Sequence, residues 1–409
     1  MASLLHQGTN FDGSEIVLID LDQERLDLVK TLSDKLIAHY GLDITVSVTT
    51  DRKEGLRGCD AVLSSFRPGG FEARYLDESI PLKHGVIGQE TQGPGGFFMA
   101  LRSISVLKEI VADIEEVCPD AWIFNYTNPV NIVAQAVTRH TSTKIVSLCE
   151  GPIVFPRAIA RAAGLDPDKV DAVMVGLNHG CWSTRHLYDG QDMIRLVEDA
   201  LAKREVNSHD RRLLELTALM GHLPAEYFQY YYFQDEILAE LQEKPTTRSQ
   251  DILAQVPDYW KHYREQATRD VPTLDPNRSR GGIHELELAI DVMDAIFNDR
   301  REVLPVNVPN NGALPGFDDD IVVEVQGYAD RHGISPLASS PLPYHVRGLV
   351  KQLAEYQSLA ADAAWNGTRK DAIRALVSNP LVRTLDKAER IYDDLAAAHR
   401  AYLPERLLT

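Results

Sequence analysis

AWIFNYTNPVNIVAQAVTRHTSTKIVSLCEGP, residues 121–152, decides the fold. Two short apolar runs, AWIFNY at 121–126 and KIVSLC at 144–149, flank PVNIVAQAVTRH at 129–140, whose proline takes the first-turn position that a helix tolerates. Strand, helix, strand at that spacing is the repeating unit of a parallel sheet. The rhythm continues upstream, with IVLID at 16–20, ITVSV at 44–48 and AVLSSF at 61–66 as strands and RSISVLKEIVADIEEVC at 102–118 as a long helix. Residues 1–175 are therefore expected to form a doubly wound α/β domain, with ligands gathered at the carboxyl ends of its strands.

From about residue 183 the pattern changes to charged helical segments. RLVEDALAKREV, DEILAELQEK and LVKQLAEYQSLAADAAW are the clearest, interrupted by VVEVQGYA at 322–329. Residues 176–409 are read as a second, mixed α+β and mostly helical domain that carries substrate. No repeat, low-complexity tract or flexible linker separates the halves, so the site is expected between them.

The chain has 409 residues, 44% of them hydrophobic, which suffices for two domains around sizeable cores. Its 42 basic and 60 acidic residues leave a net charge of −18, which argues against broad binding to nucleic acid or an anionic membrane. No run of about 18 apolar residues and no secretory pattern is present, so a cytoplasmic enzyme is expected. Four scattered cysteines, Cys59, Cys118, Cys149 and Cys181, make no disulfide framework. Any special cysteine is then a ligand or a nucleophile.

IVLIDLD at 16–22 ends in acids, and Asp20 stands where a Rossmann unit places the carboxylate that accepts from the adenosine ribose hydroxyls of NAD. The glycine-rich turn that should precede it is absent from residues 1–15. MASLLHQG reads as the end of the first helix, so the chain is expected to begin inside the unit, without its first strand and phosphate loop, about 15–20 residues.

GVIGQETQGPGGFFMALRSI at 85–104 offers Gly93, Gly95 and Gly96 for close ligand approach and Gln89, Glu90 and Thr91 as polar contacts. SFRPGGFEARYLDE at 65–78 sets Arg67 and Arg74 around a glycine turn as an anion clamp. NYTNP brings Asn125 and Asn128 to a strand end, where they could orient a cofactor amide or substrate hydroxyls or simply cap the next helix. Cys149 in SLCEGP and His179 in VGLNHGCW pair a thiolate with an imidazole, an open donor set for a divalent transition metal, although taken singly each suits a structural role. Glu150 is a candidate general acid, and Tyr227 in LPAEYFQYYYF a candidate base if a cation lowers its pKa. Arg280 in NRSRGG is a candidate oxyanion partner.

In that order and spacing, these segments together with VNVPNNGALPGFDDDIVVEV and the closing NPLV and AHRAYLP resemble glycoside hydrolase family 4 from about Ile16 to Pro404. The resemblance implies a Rossmann domain like that of lactate and malate dehydrogenases, with NAD and a divalent metal, usually manganese, as cofactors. It implies hydride removal from C3 of a sugar, proton removal from C2, departure of the glycosidic oxygen, water addition at C1 and return of the hydride. Carried over motif by motif, Cys149 and His179 ligate the metal, Tyr227 is the C2 base, Asn128 and Asn178 touch substrate hydroxyls, and Arg280 faces the metal-bound oxygens, while Arg67 is carried from the anion-clamp reading as a substrate contact. QETQGPGG is similar to members acting on 6-phosphoglycosides. After the metal cysteine β-type members often carry Asn and α-type members Asp, so Glu150 leaves the anomer open. The family implies a homodimer or homotetramer.

Two rivals stand beside that expectation. A 2-hydroxy acid dehydrogenase would consume NAD stoichiometrically without a thiolate metal ligand, and a sugar-binding paralogue without the cofactor loop would be inactive.

Overall fold

The structure is a computed structural model that describes residues 4–5, 7–203, 206–278 and 287–409. Arg280 and the rest of SRGG lie outside the described residues. The first five strands fall where the sequence places them, as β1 (Ser14–Ile19), β2 (Ile44–Thr49), β3 (Ala61–Ser64), β4 (Trp122–Asn125) and β5 (Lys144–Ser147). β1 and β2 pair in parallel as a sheet of their own, while β3, β4 and β5 form a parallel run in a nine-stranded sheet. Alternation explains the layers: Ile123 and Ile145 enter one apolar core with the helices Gly93–Val117, Val130–His140 and Tyr344–Trp365. Phe124 and Val146 enter a second core on the other face, with the helix Gly151–Ala162. Both faces are covered there, so the middles of β4 and β5 are apolar on either side.

The second half holds more strand than its charged helices suggest. β6 (Val170–Leu177), β7 (Gly180–Tyr188), β8 (Gln191–Asp192), β9 (Glu302–Pro309), β10 (Val322–Asp330) and β11 (Gly333–Pro336) extend the sheet in the order β3-β4-β5-β9-β10-β6-β7-β8, with β11 on β10. Only β10 follows from the sequence reading. One register row crosses this sheet, Ser64, Asn125, Ser147, Asn307, Glu324, Gly176 and Cys181, and it carries polar side chains through an otherwise apolar interior. No helix among the described residues is long and apolar enough to cross a membrane.

Two of the GPGG glycines are required by close backbone packing. A Cβ on Gly95 would stand 2.3 Å from the Gln89 carbonyl oxygen and 2.7 Å from that of Asp77, and one on Gly96 would stand 2.3 Å from the Thr91 carbonyl. They let the loop 88–92 lie directly on the start of the long helix.

Candidate active site

Just beyond the polar row, three chain segments converge. Cys149 follows β5, and the Gly151 amide donates to its Sγ across 3.4 Å. Asn178 and His179 form the two-residue tip of the β6–β7 hairpin, where His179 holds φ of 58°, a left-handed conformation that costs an L-residue about 1–2 kcal/mol. That conformation aims its ring back over the sheet. Nε2 lies 3.7 Å from Cys149 Sγ, and Tyr227 stacks on the imidazole with centroids 3.8 Å apart and planes 9° from parallel. Bonds of about 2.3 Å to sulfur and 2.0–2.1 Å to nitrogen put two tetrahedral donors about 3.6 Å apart, so the pair fits one divalent ion. Among the described residues no group of three or more His, Cys, Asp and Glu could hold a metal, which leaves the other coordination positions to water or substrate.

Burial sets the resting protonation. It pushes the Cys149 thiol up to about 12, with Glu324 adding to the shift, and lowers His179 to about 4. Tyr227 is held well above the ordinary phenol value, first by burial and then by Cys149. All three groups are neutral until a cation arrives.

The polar row supplies the floor. Glu324 Oε1 accepts from Asn178 Nδ2 at 3.2 Å and from Asn307 Nδ2 at 3.1 Å. Burial raises its carboxyl to about 7, and these hydrogen bonds hold the rise in check. Between an unfolded value near 4.5 and about 7 the folded state keeps the proton better, so stability falls as pH rises through that window. At about 1.4 kcal/mol per unit the loss is at most about 3–4 kcal/mol. Glu324→Gln is expected to flatten that decline in thermal melts between pH 5 and pH 8; an unchanged slope would place the titration elsewhere. The sequence offered a signal, a lone acid inside the apolar run VVEV.

The other candidates divide between the cluster and its supports. Glu150 is half-buried, with the Tyr126 hydroxyl donating to its Oε1 at 3.5 Å and itself accepting from the Ala289 amide at 3.1 Å. Asn128 is half-buried beside Thr127. Asn125 is committed inward, donating to Ser147 Oγ at 2.8 Å and the Thr127 carbonyl at 3.2 Å while accepting from the Thr127 amide. It shapes the turn rather than reaching outward. Arg74 pairs with Glu78 at 2.8 Å and Glu90 at 2.7 Å, and Arg67 pairs with the other oxygen of Glu90 and lies over Phe71. Asp20 is exposed at the end of β1, accepting from the Asp22 amide. A cavity of about 30 Å³ adjoins His179 and Asn178, walled by Gln92, Asn131, Gln357 and Asn379.

Residues 1–165 match the family described as "Family 4 glycosyl hydrolase", and residues 174–382 match its C-terminal domain. The chain belongs to glycoside hydrolase family 4. It is 36% identical, over 96% of its length and 91% of the other's, to a Bacillus subtilis (strain 168) protein named "Probable 6-phospho-beta-glucosidase". It is 33% identical, over 96% and 90%, to a 6-phospho-beta-glucosidase of Escherichia coli (strain K12). A crystal structure of a 6-phospho-alpha-glucosidase from gut microorganisms, in complex with NAD and Mn2+, superimposes with a TM-score of 0.85 at 26% identity, covering 98% of this chain and 95% of that one. The expected dehydrogenase-like architecture is borne out by malate dehydrogenase of Plasmodium falciparum, at a TM-score of 0.54 and 10% identity over 89% of this chain and 96% of that one, a likeness of fold alone.

Proposed function

We propose that this family 4 glycosyl hydrolase cleaves 6-phospho-β-glucosides with NAD and Mn2+ as cofactors. The observation that carries the reading is the stack of Tyr227 on His179, with His179 Nε2 3.7 Å from Cys149 Sγ. The β anomer is favoured by two relatives above 30% identity that are named for it, against 29% for a phospho-α-glucosidase of Clostridium acetobutylicum.

When bound, NAD supplies the hydride acceptor and the metal a Lewis acid that acidifies the sugar C2 proton. Cys149 and His179 hold the ion, and Asn178, braced by Glu324, and Asn128 orient substrate hydroxyls. Tyr227 takes the C2 proton, its phenol made acidic by the neighbouring cation. Glu150, kept in place by Tyr126, gives a proton to the leaving oxygen. Arg67 faces the anionic substrate and Asp20 the cofactor ribose, with Asn125 shaping the cofactor turn. Residues 1–175 are the cofactor domain and 176–409 the substrate domain of a homodimeric or homotetrameric cytoplasmic enzyme without nucleic-acid partners.

The test is nitrophenol release from paired 4-nitrophenyl 6-phospho-β- and α-glucosides and their unphosphorylated counterparts, with NAD and Mn2+ varied independently. Release from the phosphorylated β substrate that needs both cofactors, with no net NADH formed, is expected. Reduction of pyruvate or oxaloacetate without metal, with NADH consumed stoichiometrically, would replace this reading by the dehydrogenase one.

A further inference from the structure

Gln89 Oε1 accepts the backbone amide hydrogens of Thr91 at 2.6 Å and Gln92 at 2.7 Å, so this atom is the amide oxygen and cannot donate. The Thr91 hydroxyl lies 3.1 Å from that same oxygen and 3.0 Å from His179 Nδ1. A hydroxyl has one proton to give. Were it given to Nδ1, Thr91 Oγ1 and Gln89 Oε1 would face each other lone pair to lone pair at hydrogen-bond distance. The arrangement closes only if Thr91 donates to Gln89 and accepts from His179 Nδ1–H. In a neutral imidazole that places the bare lone pair on Nε2, the atom 3.7 Å from Cys149 Sγ.

We propose that Thr91, held by Gln89, is a positioning residue that fixes His179 in the tautomer able to ligate through Nε2. Nothing in the loop is left to relax. Gly96 packs so tightly on Thr91 that a Cβ there would meet its carbonyl at 2.3 Å, and Gly95 does the same to the Gln89 carbonyl. The glycine pair thus sets the Gln89–Thr91 relay against the start of a 25-residue helix, and the helix holds the relay against the hairpin tip that carries His179. A hydrogen-bond partner on the second ring nitrogen orients a metal-binding histidine and raises its basicity, and losing such a partner costs about 10–100-fold in metal affinity.

The inference rests on the reading of Cys149 and His179 as a metal pair, and two measurements keep the two apart. In the first, Mn2+ alone is titrated into the full chain and free Mn2+ is followed by electron paramagnetic resonance. Thr91→Val is expected to weaken binding about 10–100-fold, Thr91→Ser to restore it, and Cys149→Ala to abolish it. Wild-type affinity in Thr91→Val with binding lost in Cys149→Ala overturns the proposal and spares the metal pair; wild-type affinity in Cys149→Ala overturns the metal pair. The second needs no loop variant. Nitrogen-15 spectra of histidine-labelled, metal-free protein, with His179 assigned by its loss in His179→Gln, are expected to place the proton on Nδ1. A proton on Nε2 overturns the proposal.

Discussion

Cys149→Ala is expected to lower kcat/KM for a 6-phospho-β-glucoside by about 10³-fold or more at saturating Mn2+. Cys149 and His179 are the only two side chains proposed to hold the ion, so removing the thiolate leaves a single imidazole. A metal supplies several kcal/mol of charge stabilisation to such a step, and each ~1.4 kcal/mol is a factor of ten in rate. The loss should be one of chemistry and not of folding. Cys149 is half-buried, its sulfur neutral in the metal-free protein and met by the Gly151 amide, so truncation orphans no charge. Thermal melts of metal-free wild type and variant should therefore nearly coincide. Chelation of the wild type by EDTA should reproduce the loss, and added Mn2+ should reverse it only in the wild type. Retention of a tenth of wild-type activity by the variant would show that the thiolate is not the anchor.

How far the sequence reaches is seen by setting β4 and β5 beside the β6–β7 hairpin. AWIFNY and KIVSLC each stand between clear helical segments, so spacing identifies them as strands even though both faces are apolar. VMVGLNHGCW has no such punctuation. From Val175 to Ser183 every residue is buried, so no alternation marks a strand and the run cannot be told from a buried helix by periodicity. Its two-residue tip, Asn178 and His179, was legible as chemistry before it was legible as structure.

The site shows the same division. Donors whose residue type announces chemistry, Cys149, His179 and Tyr227, stand out in the sequence, and the fold brings them together. How their supports pair is not legible, because each pairing depends on chain paths that cross far apart: Asn178 meets Glu324 and Thr91 meets His179 only after folding. Conversely, Arg74 and Asn125 look available in sequence and prove to be committed inside. A residue type shows what a side chain can do, whereas burial and partners decide whether it is free to do it.

The largest stability effect is expected from Asp77→Asn. Asp77 and Arg102 are fully buried, joined by two hydrogen bonds of 2.9 and 2.5 Å, and His399 Nε2 lies 2.9 Å from the same carboxylate. The cluster ties the helix Gly70–Lys83 to the helix Gly93–Val117 and to the chain near its C-terminus, and Arg102 Nε donates to the Pro68 carbonyl beside Arg67. Asparagine keeps the shape and removes the charge. The Arg102 guanidinium is then buried without its counter-ion, a change that costs about 3–5 kcal/mol. Equilibrium denaturation should register that loss. Asp77→Leu with Arg102→Met removes both charges at similar volume and separates the charge effect from one of shape. Replacing a buried ion pair by apolar side chains is commonly near neutral, so the double variant should recover most of the loss. His399 then lacks its carboxylate partner and should set the residue of cost that persists. A double variant as unstable as Asp77→Asn would mean that shape, not the uncompensated charge, carries the effect, and Asp77→Asn within about 1 kcal/mol of wild type would refute the assignment of the cluster as an essential clamp.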